Sequence, residues 1–537
     1  MAHNRITSPV KLRFFHKKAL HLTFLPGRFA TLYLSQRGKL FPTGSRSIAF
    51  VVVGGVLSLA CAASANVTIS TAQTQNLTCS GGLCAPTARK AVLNVSDLET
   101  MLTSGNVEVT TTGSGVQAND IEVDAPFTWS NTNALALDAY ESIAVKQSVS
   151  VAGSGGLTLT TNDGGQNGTL SFDSKGSIAF QNLSSPLTIN DVAYTLENSV
   201  ATLAGAILSN PRGAFALASN YDASQDGTYS NCPIDVEFDG TLQGLGNSIS
   251  NLSIDAKFER HEYTFAAFLG NVDAAGAVEN LRLSAINYTG RAVGGLAAGN
   301  EGYLFGDEVT GAIDSEHQLA GGLVQENYGM IISSSANVHL KIKCCAKHGA
   351  IAGGLVSDNG GGGTIELSHA AGDISGSTGG GGLVGENEGT ISQSYATGNV
   401  SYGGGLVFIN QNTGTISNSY ATGAVHGTDD SGGFIQYVPE YTTGTISDSY
   451  STGAVSTGDG GFLCTDDVVD LSNDYWDITT SGTDDGACGE NVSGVTGMTT
   501  QQLQSGLPEG FDPTIWAEDP KINDGLPYLI NNPPAKK

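Results

Sequence analysis

The 537-residue sequence predicts an all-β protein built as a right-handed parallel β-helix of short strands. Three observations carry that expectation. Glycine reaches 72 residues while proline stops at 15 and no Gly-X-Y period exists, which disfavours helices at about 1 kcal/mol per interior glycine and leaves collagen out. A small-small-large anchor then recurs at near-constant steps, as Ala267-Phe268, Gly295-Leu296, Gly322-Leu323, Gly354-Leu355, Gly382-Leu383, Gly405-Leu406, Gly433-Phe434 and Gly461-Phe462. A second element follows several anchors: Gly389-Thr-Ile391-Ser-Gln-Ser-Tyr395, Gly414-Thr-Ile416-Ser-Asn-Ser-Tyr420 and Gly444-Thr-Ile446-Ser-Asp-Ser-Tyr450.

The repeat dictates the architecture. Ile, Ser, Tyr and Thr alternate with the period of a strand that buries one face, and glycines supply the corners. A unit of about 28 residues cannot bury its apolar face alone, so units must stack. Leucine-rich, ankyrin and tetratricopeptide arrays need helices that are missing here. Stacked coils, each adding about 4.8 Å, place like residues in columns: Leu or Phe at the anchor, Ile391, Ile416 and Ile446 in the core, with Tyr395, Tyr420 and Tyr450 beside them. The hand follows from the preference of parallel crossovers.

These residues resemble the GLUG repeat, and Gly382-Leu383-Val384-Gly385 matches it fully. The resemblance spans 236–477 and implies a solenoid of bacterial surface or secreted proteins, including filamentous-haemagglutinin-like adhesins and some IgA-directed peptidases. Gly405-Leu-Val-Phe408 and Gly433-Phe-Ile-Gln436 lack the last glycine, so a different local turn is expected there. The resemblance also implies an aromatic ending, matched by Trp476, Trp516 and Tyr528, with 478–537 as the C-terminal cap and tail. A solenoid end must be covered or its open edge recruits another chain.

The remaining segments follow in order. Residues 1–65 carry nine Lys and Arg, no Asp or Glu, an apolar run from Ile48 to Leu59 and the exit Ala63-Ser64-Ala65. That is the layout of an extended secretory signal cleaved after Ala65, with an apolar core too short to span a membrane. The chain beyond it holds fifteen basic against 51 acidic residues, a charge near −36. Nucleic acid, which needs clustered cations, is therefore not an expected partner. Residues 66–190 read as irregular β-helical coils, with strands at Leu157-Thr-Leu159-Thr, Thr169-Leu-Ser-Phe172 and Ser177-Ile-Ala-Phe180, and with Ser96-Asp-Leu-Glu99 as a capping box. Residues 191–235 read as a helix and loop insertion, its helical patch running from Leu196 to Leu208.

Export permits disulfides. Cys79 and Cys84 flank a tight glycine loop, and Cys464 and Cys488 are placed to staple the end of the repeats; the odd count after the signal leaves at least one thiol over.

Motifs of catalysis are missing. His261-Glu262 is followed by Phe265 where H-E-x-x-H needs histidine, which removes the peptidase half of the resemblance; no G-x-S-x-G elbow occurs. No catalytic, cofactor or metal residue is assigned. Asp429, Asp430, Asp466, Asp467, Asp470, Asp474, Asp484 and Asp485 cluster late in the chain, and they read as hydrated carboxylates first, calcium ligands second and a glycan-cleaving pair third. The function expected is a non-enzymatic, secreted or surface-exposed adhesin-like protein whose partners are a host or neighbouring-cell surface, matrix or glycans. The alternatives are a β-helix carbohydrate-active enzyme or a structural biofilm-matrix component.

Overall fold

Coils of three short strands account for most of the described residues. The computed structural model describes residues 65–256, 265–343, 350–376, 379–427, 430–456, 458–464, 470–489 and 492–534. The signal reading therefore lies outside the described residues, as do His261, Glu262, Cys344, Cys345, Asp429, Asp466 and Asp467.

In the repeat region the three faces are parallel sheets. One contains Val384–Asn387, the next Thr390–Ser392, the third Tyr395–Ala396 and Gly403–Gly404. Registers join like to like: Val324, Val356, Val384, Val407 and Ile435 pair in succession, as do Ile365, Ile391, Ile416 and Ile446. The anchors stack as the spacing predicts, with Leu296, Leu323, Leu355, Leu383, Leu406 and Phe434 each donating a backbone N–H to the next anchor's carbonyl at 2.7–2.8 Å, all fully buried.

Space explains the two glycines before each anchor from Leu296 onward. A β-carbon on Gly381 would lie 1.7 Å from Val384 O, and one on Gly382 2.0 Å from Gly405 O of the next coil. The missing last glycines do not disturb the stack, because Val407, Ile409 and Asn410 keep register with Val384, Glu386 and Asn387. The Phe408 ring turns outward onto Gly379, so the expected local change is absent.

Two polar columns run inside the stack. Asn300, Asn327, Asn359, Asn387 and Asn410 are fully buried, and each Nδ2 donates to the next Oδ1 at 2.7–2.8 Å. At another corner the N–H groups of Ser334, Ser368, Ser394 and Ser419 donate to the next serine Oγ at 3.1–3.3 Å. Asp307 and Asp474 end that column, Asp307 N–H donating to Ser334 Oγ and Asp474 Oδ1 accepting from Ser449 N–H. The residue before each inner serine, such as Gln393 or Asn418, takes a positive φ and turns the corner.

Upstream, irregular coils obey the same logic. Ile121, Ile143 and Leu170 pair in one sheet, Leu135, Leu157 and Leu187 in a second, Phe127, Val149 and Ile178 in a third. Helix Val95–Ser104 follows directly on the edge strand Ala91–Asn94. Its cap is Asn94, whose Oδ1 accepts from Ser96 N–H, rather than Ser96; Glu99 instead accepts from Thr128 N–H. The capping box is thus not formed, since Asn94, already extended at the strand end, reaches the first free N–H groups.

Residues 191–235 are not a lateral insertion. Val192–Glu197 is a strand pairing with Leu187–Ile189 and Ala214–Leu217, and the latter pairs with Thr241–Gln243. The sheet thus runs on from the irregular coils into the repeats. Helix Val200–Ser209 begins four residues later than the apolar patch suggests, at the cap Ser199. Arg282 fastens the junction by donating to the carbonyls of Phe172, Asp173, Gly176 and Gly246.

Disulfides join Cys79 to Cys84 and Cys464 to Cys488, as the spacing predicts, and Cys232 is a buried free thiol. No helix among the described residues is long and apolar enough to cross a membrane.

The ending differs from expectation. Val495–Met498 extends the stack by pairing with Asp474–Asp477, where Trp476 closes the core. The chain then runs back along the flank. Tyr395, Tyr420 and Tyr450 are not core residues beside the isoleucines: they face outward, stacked at 4.7 and 5.2 Å, and Phe511, Trp516, Leu526 and Leu529 cover them. Trp516 therefore caps a face and not the end, packed against Tyr420 and Tyr450.

Candidate functional site

Two outward faces carry chemistry. The first is an acidic column. Each strand of type Val384-Gly385-Glu386-Asn387 turns its Val and Asn inward, which leaves Glu326, Asp358 and Glu386 in register on the outside. The Tyr328 ring lies over Gly360, where a β-carbon would sit 2.2 Å from Cε1, and stands half-exposed among these acids. Amides bond to this acidic face: Gln325 donates to Glu326 at 2.8 Å, Gln411 to Glu388 at 3.2 Å and Glu386 at 3.4 Å, and Asn412 to Glu388 at 2.8 Å.

Burial, then the charges of Glu386, Glu326 and Glu388, push Asp358 up to about 6. Burial and Glu388 raise Glu386 as well. A carboxyl raised in the fold above its unfolded value stabilises fully at low pH and loses that contribution as pH climbs through the folded value. Stability is therefore expected to fall between about pH 4 and 6 as Asp358 ionises against its neighbours. Asp358→Asn should raise the melting temperature at pH 7.5 and leave it nearly unchanged at pH 4, with the pH 7.5 gain shrinking in high salt. Equal gains at both pH values would remove the repulsion.

The second face is a cleft of about 630 Å³ between the outward residues of the third sheet and the returning C-terminal segment. Its floor has two columns, His369 and Tyr395 in one, Thr397, Thr422 and Thr452 in the other; Thr500, Gln504, Lys521 and Asn523 face them. The wall is anchored by named bonds. Tyr450 OH donates to Pro527 O at 2.6 Å, Tyr475 OH to Glu509 O at 2.9 Å and Trp516 Nε1 to Asn418 Oδ1 at 3.0 Å. Asn532 Nδ2 reaches Ser368 O and Gln393 O at 3.2 and 3.1 Å. Burial lowers His369 to about 4, against an opposing hydrogen bond with Asn532, so the ring is neutral at physiological pH.

Among the described residues the late acids do not converge. Asp430 and Asp470 are exposed. Asp474 is fully buried as the serine column's terminus, where burial pushes it up to about 8. Asp485 accepts from Ala487 N–H and Gly489 N–H within its own turn. Among the described residues no group of three His, Cys, Asp or Glu is placed to hold a metal ion. The acidic column that does form comes from Glu326, Asp358 and Glu386, which single-residue inspection passed over. The signal was available, because an acid sits three positions after the anchors Leu323, Leu355 and Leu383.

No family model matches the chain. Over 108 residues it is 36% identical to halomucin of Haloquadratum walsbyi, a stretch covering 20% of this chain and 1% of that protein. Among solved structures, it is similar to an IgA1 protease at 17% identity and TM-score 0.36, covering 51% of this chain and 23% of that one. A Bacteroides ovatus protein described as an immunoglobulin A1 protease is 15% identical at TM-score 0.30, covering 63% and 92%. The chain thus spans a small part of halomucin and under a quarter of the first structure.

Proposed function

We propose that this chain is an exported, non-enzymatic GLUG-type solenoid that binds at a cell surface, in the manner of an adhesin. The observation that carries the reading is the register itself. It converts a repeated sequence into extended outward columns of carboxylates, hydroxyls and rings, a form suited to holding a long or repetitive partner. Two disulfides accord with an oxidising compartment, and the basic N-terminus with its apolar run supplies the export route.

Beads coated with residues 66–537 are expected to adhere to intact cells or extracellular matrix. Adhesion should rise as sodium chloride increases from low ionic strength, because a chain near −36 is repelled by anionic surfaces until the charges are screened. Adhesion no better than that of uncoated beads at every salt concentration would reject the reading.

One observation favours a carbohydrate-active enzyme as second reading. Asp358, raised to about 6, stands next to Glu386 on the adjoining strand, and two carboxyls about one strand spacing apart, one with a raised pKa, resemble the pair of retaining glycosidases. Release of reducing ends from a polysaccharide by the native chain, lost in Asp358→Asn, would put this reading in place of the first.

A further inference from the structure

We infer that the cleft beneath the C-terminal segment binds a neutral oligosaccharide chain. The inference deepens the surface-binding reading and rests on it.

The floor shows how a ligand must be recognised. Tyr395–Ala396, Tyr420–Ala421 and Tyr450–Ser451 are each paired on both sides within one sheet. A peptide therefore finds no free strand edge to extend, and recognition must run through side chains. Thr397, Thr422 and Thr452 repeat once per coil, about 4.8 Å apart, and no group among the described residues accepts from or donates to the hydroxyls of Thr397 or Thr422. Gln504 and Asn523 add amide oxygens from the opposite wall, their NH2 groups being held by Asp524 O and by Tyr450 OH and Pro527 O. Hydroxyls in a row, each both donor and acceptor, faced by these acceptors, complement a chain bearing hydroxyls at every unit.

A ring platform completes the cleft. Tyr395 is sandwiched between His369 and Tyr420 at 4.7 Å on each side, so its faces are taken. His369 ends the stack, and its neighbour on the preceding coil is Ser335, which places no ring on that side. The neutral imidazole, which lines the cleft, thus has one ring face that no aromatic ring covers, where a sugar ring can stack.

Charge selects against the alternatives. Among the described residues Lys521 is the single cation lining the cleft, with Asp524 and Asp477 lining it as well. Asp477 is already engaged, its Oδ1 accepting from Thr479 N–H and Thr480 N–H and its Oδ2 from Thr500 Oγ1. An anionic glycan would face an exported chain of net charge near −36 with one lysine among the described lining residues to hold it, and a cationic ligand would prefer the acidic column.

Titration calorimetry on the full exported chain tests this with cellohexaose, xylohexaose, laminarihexaose and chitohexaose, and with hexagalacturonate as the anionic comparison. At least one neutral hexasaccharide is expected to bind saturably and the galacturonate not at all. Thr397→Val with Thr422→Val keeps the side-chain shape and removes two hydroxyls, and should weaken that binding about tenfold; Lys521→Ala should change it less than threefold. Circular dichroism of both variants confirms the fold, and the lysine variant serves as reference if the threonine pair fails to fold. No binding of any neutral probe, preferential binding of galacturonate, or an unchanged threonine variant would overturn the inference. Cell adhesion that persists unchanged in the threonine variant would sink the cleft alone and leave the surface-binding reading standing. Loss of adhesion by the native chain would strike that reading, while the titration still judges the cleft.

Discussion

Gly382→Ala is expected to destabilise the chain by about 3–5 kcal/mol, an effect in the range of severe core disruption. The glycine needs no special φ, so the cost is one of space. The added methyl would sit 2.0 Å from Gly405 O and 3.0 Å from Ala396 Cβ. Neither can retreat, since Gly405 N–H is bonded to Gly432 O of the following coil and Ala396 pairs with Ala370 and Ala421. Relief would require opening one coil step across the whole section. Gly361→Ala is the matched control: its methyl meets only Glu388 Oε2 at 3.8 Å, and a change within about 0.5 kcal/mol is expected. Urea denaturation of the two variants makes the comparison. Equal effects would mean that the coils are not packed at the described spacing.

Asn359→Ala is expected to cost a similar amount, about 3–5 kcal/mol, through unsatisfied polar groups. Asn359 Oδ1 accepts from Asn327, while its Nδ2 donates to Asn387 Oδ1 and Gly363 O. All of these groups are buried, and alanine leaves them without partners. Asn359→Asp separates this cause from simple volume loss. A carboxylate keeps the acceptor for Asn327 but cannot donate to Asn387 Oδ1, and burial raises its pKa. Because the folded value then exceeds the unfolded one, stability should be near wild type at low pH and lost as pH rises through the folded value. Melting curves of the aspartate variant from pH 3.5 to 8 check this; a loss independent of pH would assign the effect to packing.

The contrast between these two columns shows what was legible in the residues. The anchors could be read directly, because Gly-Leu pairs stand out and their uneven steps, such as 32 and then 23 residues, recur unchanged in the observed pairings of Val324 with Val356 and Val384 with Val407. The asparagine column was equally periodic, four residues after Leu296, Leu323, Leu355, Leu383 and Leu406. It was passed over because asparagine ordinarily marks a turn, and burial of an amide is justified only once its neighbours above and below are known. The tyrosines show a different limit. Their period assigns them to a column, but nothing local says whether that column faces the core or the outside. The answer depends on Trp516, which lies 98 positions beyond its partner Asn418. The acidic column was legible in spacing and lost in composition, since 51 acids make any three look ordinary. The cleft could not be read at all, because one of its walls is made by a segment whose docking is set by tertiary contacts alone.

Both the acidic column and the cleft exist only if adjacent coils stack in the register described. Disulfide trapping tests that claim most directly. Ser392 and Ser417 are paired neighbours on successive coils, and Ser447 lies one coil further on. At one strand spacing, about 4.8 Å, the first two fall within the reach of a disulfide, whereas two spacings exceed it. Under mild oxidation, peptide mapping by mass spectrometry should find a Ser392→Cys, Ser417→Cys pair cross-linked efficiently and a Ser392→Cys, Ser447→Cys pair not cross-linked. Efficient linkage of the second pair, or failure of the first in a folded chain, would contradict the register and with it both candidate sites.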